Sequence, residues 1–211
     1  MSGRIADQVV ETYMEHLASD APTPGGGAVA ALSGAAGAAL ISMVCNLTIG
    51  KEGYEEAEER MRGMLVQAEA ARTALLDLAD RDATAFDGVM AAFKMPKETD
   101  AEKAVRSQTI QEGYLAAAEV PLDIARTAAE LMELARETTE IGNAAAASDG
   151  ACAAQSLSSA VWSATYNVEI NAAALKDPAK AQALRDEVSS LRAHAKALLD
   201  ATNAAFGSRL G

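Results

Sequence analysis

Ala21-Pro-Thr-Pro-Gly-Gly-Gly27 and the run behind it, Ala28-Val-Ala-Ala-Leu-Ser-Gly-Ala-Ala-Gly-Ala-Ala-Leu-Ile-Ser-Met-Val-Cys-Asn-Leu-Thr-Ile49, contain no charged residue. Two prolines and three consecutive glycines cannot continue a helix, whereas alanine, the best helix former, dominates the residues after Gly27. The spacing predicts a break over 20–27 and a helix over 28–49, closed by Gly50. A helix with no charged face is a buried one. Gly34 and Gly37, set among alanines, let a neighbouring backbone come close. The stretch also has the length of a membrane span. Ser33, Ser42, Asn46, Thr48 and the glycines leave it only weakly apolar, and no basic cluster marks one flank. The expectation is therefore the central helix of a soluble bundle, with no membrane partner.

Working outward, the rest of the chain reads as helix. Ile5, Val9, Tyr13 and Leu17 form an i, i+4 stripe that predicts a first helix over 5–19. A long third helix is expected over 54–94, with an inward face of Met61, Leu65, Ala68, Arg72, Leu75, Ala79, Asp82, Phe86, Val89 and Phe93. Met95-Pro96 ends it, and Thr99 with Glu102 has the capping-box spacing of a new start. Pro121 either kinks that helix or opens the next, which reaches Ile141. Gly142-Asn143 is a stop and Ser148-Asp149 a restart for a helix to about Leu175. Asp177 then caps a last helix over 178–206, with Pro178 at its first position. No strand alternation and no linker interrupts the pattern. The fold class expected is all-α: a single-domain bundle of about six to seven helices over 1–211, with one uncharged central helix and one long helix.

Composition narrows the function. The 211 residues are half hydrophobic but only 4% aromatic, and the formal net charge is -12. Such a surface repels a phosphate backbone, so nucleic acid is not an expected partner. Cys45 and Cys152 read as small buried thiols of a reducing, cytoplasmic protein. His16 and His194 have no metal-type neighbours, which leaves catalytic zinc and histidine triads without support. The sequence assigns no metal.

Four groups of residues stand out as chemistry. Thr23, Pro24, Gly25, Gly26 and Gly27 precede a helix N-terminus, where missing side chains expose N–H groups to a ligand. The pattern is neither the dinucleotide fingerprint nor a Walker loop. Asp82 occupies an apolar stripe where leucine would pack better; desolvation there would raise its pKa toward that of a general base. Asn46 is a polar amide on an otherwise apolar helix, and Lys51, Lys94 and Lys97 at helix ends are candidate anion contacts within an acidic protein. Asn143 and Asp149 stand at a helix junction, as caps or as ligand groups.

In this order the segments resemble the cyclodeaminase/cyclohydrolase family of tetrahydrofolate enzymes. The resemblance rests on Ala21-Pro-Thr-Pro-Gly-Gly-Gly27, Cys45-Asn-Leu-Thr-Ile-Gly-Lys51, Asp82-Ala-Thr-Ala-Phe86, Lys94-Met-Pro-Lys97, Val120-Pro-Leu122, and Gly142-Asn143 with Ser148-Asp149. The wording is nearest to the freestanding methenyltetrahydrofolate cyclohydrolases, with formimidoyltetrahydrofolate cyclodeaminase as the alternative and a non-catalytic folate-binding scaffold as the rival of another class. Members often carry a further asparagine after the Gly-Asn pair; here Ala144 to Ala147 are alanines. The resemblance implies a helical subunit that forms a homodimer, with no cofactor beyond the tetrahydrofolate. It implies Asp82 as base or cation stabiliser with Asp149 as the weaker candidate. The glycine loop and Asn46 would position the pterin, Asn143 would also contact the substrate, and Lys51, Lys94 or Lys97 would meet the glutamate tail.

Overall fold

In a computed structural model describing residues 4–210, the charge-free run becomes the second of six α-helices. These are α1 (Val10–Leu17), α2 (Gly26–Thr48), α3 (Glu58–Phe93), α4 (Asp100–Ile141), α5 (Ala147–Ala173) and α6 (Pro178–Arg209), with no strand among the described residues. The ends of the expected 1–211 domain, residues 1–3 and 211, lie outside the described residues. α2 packs against α3, α4 and α5. It is long and apolar enough to span a membrane by composition, yet 61% of its most apolar window is buried by these neighbours.

Small residues set the helix spacing. A Cβ at Gly34 would stand 3.2 Å from both Leu75 methyl groups, and one at Gly37 would stand 2.7 Å from Leu157 Cγ and 3.1 Å from the Ala153 carbonyl. Around these crossings Ile41, Met61, Met64, Leu75, Ile124, Met132 and Leu157 are fully buried. Gly37→Ala is expected to cost about 1–3 kcal/mol through overpacking, despite alanine's better helix propensity. Denaturant unfolding checks this; a stability equal to or above wild type would contradict it.

Two expected boundaries and one expected burial need correction. The first helix does not run unbroken from Ile5: a 3-10 turn, Ile5–Asp7, precedes an extended Val9. The Ile5 N–H donates to Asp80 Oδ1 at 2.7 Å, and Arg4 pairs with Asp77 and Asp80, so the segment is strapped to α3 rather than continued as helix. Val9 is consequently exposed, not part of a buried stripe. The long helix starts at Glu58, after the 3-10 turn Glu55–Ala57. Of the two thiols, only Cys45 is buried, where burial pushes it up to about 11; Cys152 is exposed on α5.

Other signals hold. Thr99 and Glu102 form the capping box of α4, and Asp177 caps α6 through the Ala179 and Lys180 N–H groups. Pro121 neither starts nor ends a helix but sits inside α4. Proline lacks the N–H that would bond the carbonyl four residues back, and the Ala117 carbonyl instead accepts from Asn171 Nδ2 at 3.0 Å.

Candidate functional site

At the N-terminal end of α2 a cleft of about 490 Å³ opens between α3 and α5, with α4 behind it. That volume suits a small organic ligand. The loop contributes Thr23, Gly25 and Gly26, α3 contributes Asp82, Phe86 and Phe93, α4 contributes Tyr114, and α5 contributes Asn167 and Asn171. The Thr23–Pro24 peptide is cis, and Pro24 is buried behind the loop. Gly25 is the N-cap of α2, so the N–H groups of Gly26 and Gly27 begin a helix and have no intrahelical acceptor.

Asp82 is the carboxylate of this cleft. Burial raises its pKa above the usual aspartate value, opposed by the Ala28 backbone N–H that donates to it. The contact requires glycine next door: a Cβ on Gly27 would overlap the carboxylate. The helix N-terminus thus holds a half-desolvated carboxylate at the edge of an apolar wall, the setting of a group that trades a proton with a ligand.

The opposite end of the cleft is aromatic and cationic. Phe93 and Tyr114 meet edge to face at 6.1 Å. Arg106 donates to the Phe93 carbonyl at 3.0 Å and lies 5.6 Å over its ring. Lys94 and Lys97 follow Phe93 on the exposed connection to α4, and neither has an ion-pair partner among the described residues. Arg106 was not singled out in the sequence because it reads there as an ordinary surface charge in the second turn of a helix.

The expected constellation divides in two. Thr23, Gly25, Gly26 and Asp82 line the cleft, Pro24 and Gly27 back it, and Lys94 and Lys97 adjoin it. Asn46 lies 20 residues along α2 from Gly26, about 30 Å away at 1.5 Å per residue, exposed on the outer face. Lys51 stands exposed beyond it. Asn143 is buried at that far end, where its N–H bonds Thr48 Oγ1, its Nδ2 bonds the Leu47 carbonyl and its Oδ1 accepts from Ala145. Its hydrogen bonds are spent on tying the connection after α4 to the end of α2. Asp149 occupies the first turn of α5 at the same end, because α5 runs antiparallel to α2: Gly26 meets Asn167, Gly34 meets Ala160, and Gly37 meets Ala153. Within one chain, neither Asn143 nor Asp149 reaches the cleft. Among the described residues, no group of three His, Cys, Asp or Glu side chains is placed to hold a metal ion.

Asn167 and Asn171 are cleft residues that the sequence reading missed. A pair of carboxamides one turn apart on a mostly apolar helix was the available signal.

Comparison with known proteins adds to this geometry. The family model described as formiminotransferase-cyclodeaminase matches residues 9–190. A methenyltetrahydrofolate cyclohydrolase of Methylorubrum extorquens is 45% identical over 91% of this chain and 92% of its own length. A formimidoyltransferase-cyclodeaminase of Sus scrofa is 38% identical over 89% of this chain, which spans only 35% of that protein. Among solved structures, a formiminotetrahydrofolate cyclodeaminase from Thermotoga maritima superposes with a TM-score of 0.88 at 29% identity, covering 99% of this chain and 100% of that one.

Proposed function

The chain belongs to the formiminotransferase-cyclodeaminase family, and on that footing we propose that it hydrolyses 5,10-methenyltetrahydrofolate to 10-formyltetrahydrofolate. The observation that carries the choice is likeness, at matching length, to a freestanding methenyltetrahydrofolate cyclohydrolase. The substrate's bridging carbon is part of an amidinium cation and is already electrophilic, so the chemistry asks for no cofactor beyond the folate itself. Asp82, ionised, stabilises that cation and takes a proton from attacking water; the tetrahedral adduct then collapses as N5 leaves with a proton. The N–H groups of Gly26 and Gly27 bind the pterin near the reacting carbon. The aromatic wall of Phe86, Phe93 and Tyr114 receives the benzoyl part, and Lys94, Lys97 and Arg106 meet the glutamate carboxylates. The proposal extends to a cytoplasmic location, supported by the free thiols and this metabolism, with neither membrane nor nucleic acid as a partner.

The second reading is cyclodeamination, favoured by likeness to the Thermotoga structure. There N10 adds to a formimino carbon in the same cleft and ammonia leaves. Purified protein given each substrate separately decides between them. The expected result is a larger kcat/KM for methenyltetrahydrofolate hydrolysis than for ammonia release; the reverse ranking would replace the first reading with the second.

The proposal includes a homodimer. α2 exposes Met43, Leu47 and Asn46 on one face, α5 beside it exposes Trp162, Tyr166 and Ile170, and neither helix is charged over 26–48 or 150–168. Two copies of net charge -12 associate most readily through such a face. An antiparallel pairing of two α2 helices about a twofold axis would carry Asn46 and Lys51 of one copy toward the glycine loop of the other. Met43→Glu, which puts two like charges into that contact, is expected to yield monomers with strongly reduced turnover. Light scattering checks the mass; a fully active variant dimer would contradict this interface.

A further inference from the structure

We propose that Asn171, its amide nitrogen turned to the backbone carbonyls of Ala117 and Asn167, accepts a hydrogen bond from the 2-amino group of the pteridine and selects substrates that carry one. The inference rests on the folate reading above and deepens it. Asn171 lines the cleft. Its Nδ2 donates to the Ala117 carbonyl at 3.0 Å and to the Asn167 carbonyl at 2.9 Å. A carboxamide facing two carbonyls must present its nitrogen to them, which leaves Oδ1 as the atom for a ligand. The Ala117 carbonyl is available because Pro121 has no N–H to give it, although α4 continues through the proline. A mid-helix proline thus adds a second acceptor for the Asn171 amide nitrogen, beside the Asn167 carbonyl of its own helix.

Asn167 repeats the arrangement one turn away: its Nδ2 donates to the Ser163 carbonyl at 2.9 Å, and its side chain lies beside Gly26. No donor from the described residues reaches either Oδ1. With the Asp82 carboxylate across the cleft, the polar side chains of this region present acceptors. The matching ligand edge is one of N–H donors, and a reduced pterin supplies it: the 2-amino group and N8–H flank N1. With N5 at Asp82, the reduced ring and its N8–H fall to Asn167, next to the glycine loop. The pyrimidine ring and its 2-amino group extend one helical turn further along the α5 wall, to Asn171, and the folate bends at C9–N10 so that its benzoyl part turns to the α3 side of the cleft.

The test separates this selecting role from a purely structural one. Asn171→Leu alone would strand the Ala117 carbonyl, so it is made together with Pro121→Ala, which returns a helix N–H to that carbonyl. Pro121→Ala alone is the reference. It is expected to keep wild-type selectivity because Asn171 remains tied to the Asn167 carbonyl. Wild type and reference should bind tetrahydrofolate about 10-fold more tightly than its 2-desamino-2-methyl analogue, the worth of one hydrogen bond to a ligand. The double variant should unfold at a temperature close to the reference, show a KM raised by about 10-fold with kcat within about threefold, and bind the two compounds equally. A folded double variant that still discriminates overturns the assignment. A wild type that binds tetrahydrofolate but not in preference to the analogue overturns it too. Failure of the wild type to bind any folate would instead bring down the reading beneath it.

Discussion

Asp82→Asn is expected to lower kcat for methenyltetrahydrofolate hydrolysis by roughly 10²- to 10⁴-fold, the range for loss of a positioned general base, while the protein remains folded. Its effect on stability has a defined sign. Burial raises the Asp82 pKa in the folded protein, with the Ala28 N–H opposing. A carboxyl group whose folded pKa is raised favours folding while protonated; that contribution is complete below the unfolded value of about 3.9 and is lost as pH rises through the raised folded value. At neutral pH the ionised carboxylate therefore costs stability. Asparagine keeps an acceptor for Ala28 and has no charge to bury. The variant should melt at or above the wild-type temperature, and the difference should vanish in acid. In the wild type, the acid limb of the kcat profile should lie above the ordinary aspartate range. A stable variant with near-normal turnover would remove Asp82 from the chemistry.

Gly27→Ala should be nearly as damaging, for a steric reason. In an ordinary helix the change would stabilise by about 1 kcal/mol. Here the added methyl overlaps the Asp82 carboxylate, so either the carboxylate leaves its place on the helix N-terminus or the two helices separate. A displacement of about 1 Å at a reacting group can cost on the order of 10²-fold in rate. Overpacking adds a stability loss of about 1–3 kcal/mol. The two effects share one cause, so Asp82→Ala in the Gly27→Ala background should recover stability without recovering activity. Equal stability losses with and without the carboxylate would show that the two residues do not press on each other. Steady-state kinetics and thermal unfolding of the two single variants and the double variant supply all the values needed.

Much of this site was legible before the structure. The glycine run announces a backbone that something approaches, and an aspartate in the stripe between Ala79 and Phe86 announces a carboxylate held away from water. Both inferences concern single residues in conflict with their local pattern, and such conflicts survive folding. Distances between motifs were not legible. Asn46 and Lys51 looked like neighbours of the loop because only one helix separates them, yet that helix is a rod with the loop at one end and the asparagine near the other. Asn143 read as a cap or as a ligand group, and its three hydrogen bonds to Thr48, Leu47 and Ala145 show it joining helix ends.

The aromatic residues mislead in another way. Phe86 and Phe93 fall on the periodic inward face of α3 and were expected in the core, but both remain over a third exposed, at 37% and 42%. Periodicity identifies the face turned toward other helices; it does not tell whether the space between them is filled. On α3 that face passes from core to cleft after Ala79. Asn171 was hidden for a related reason. One of its two backbone partners is the carbonyl freed by Pro121, 50 residues earlier, and the clue was a proline in a helix that did not stop. A carbonyl without its helix partner must find a donor, and the donor came from the cleft wall.

Decay of methenyltetrahydrofolate absorbance on addition of the purified chain, set against the spontaneous rate in the same buffer, decides whether the protein is a cyclohydrolase. Decay well above the buffer rate is expected, with 10-formyltetrahydrofolate as the product and saturation in substrate. A rate indistinguishable from buffer, given folded protein, would contradict it.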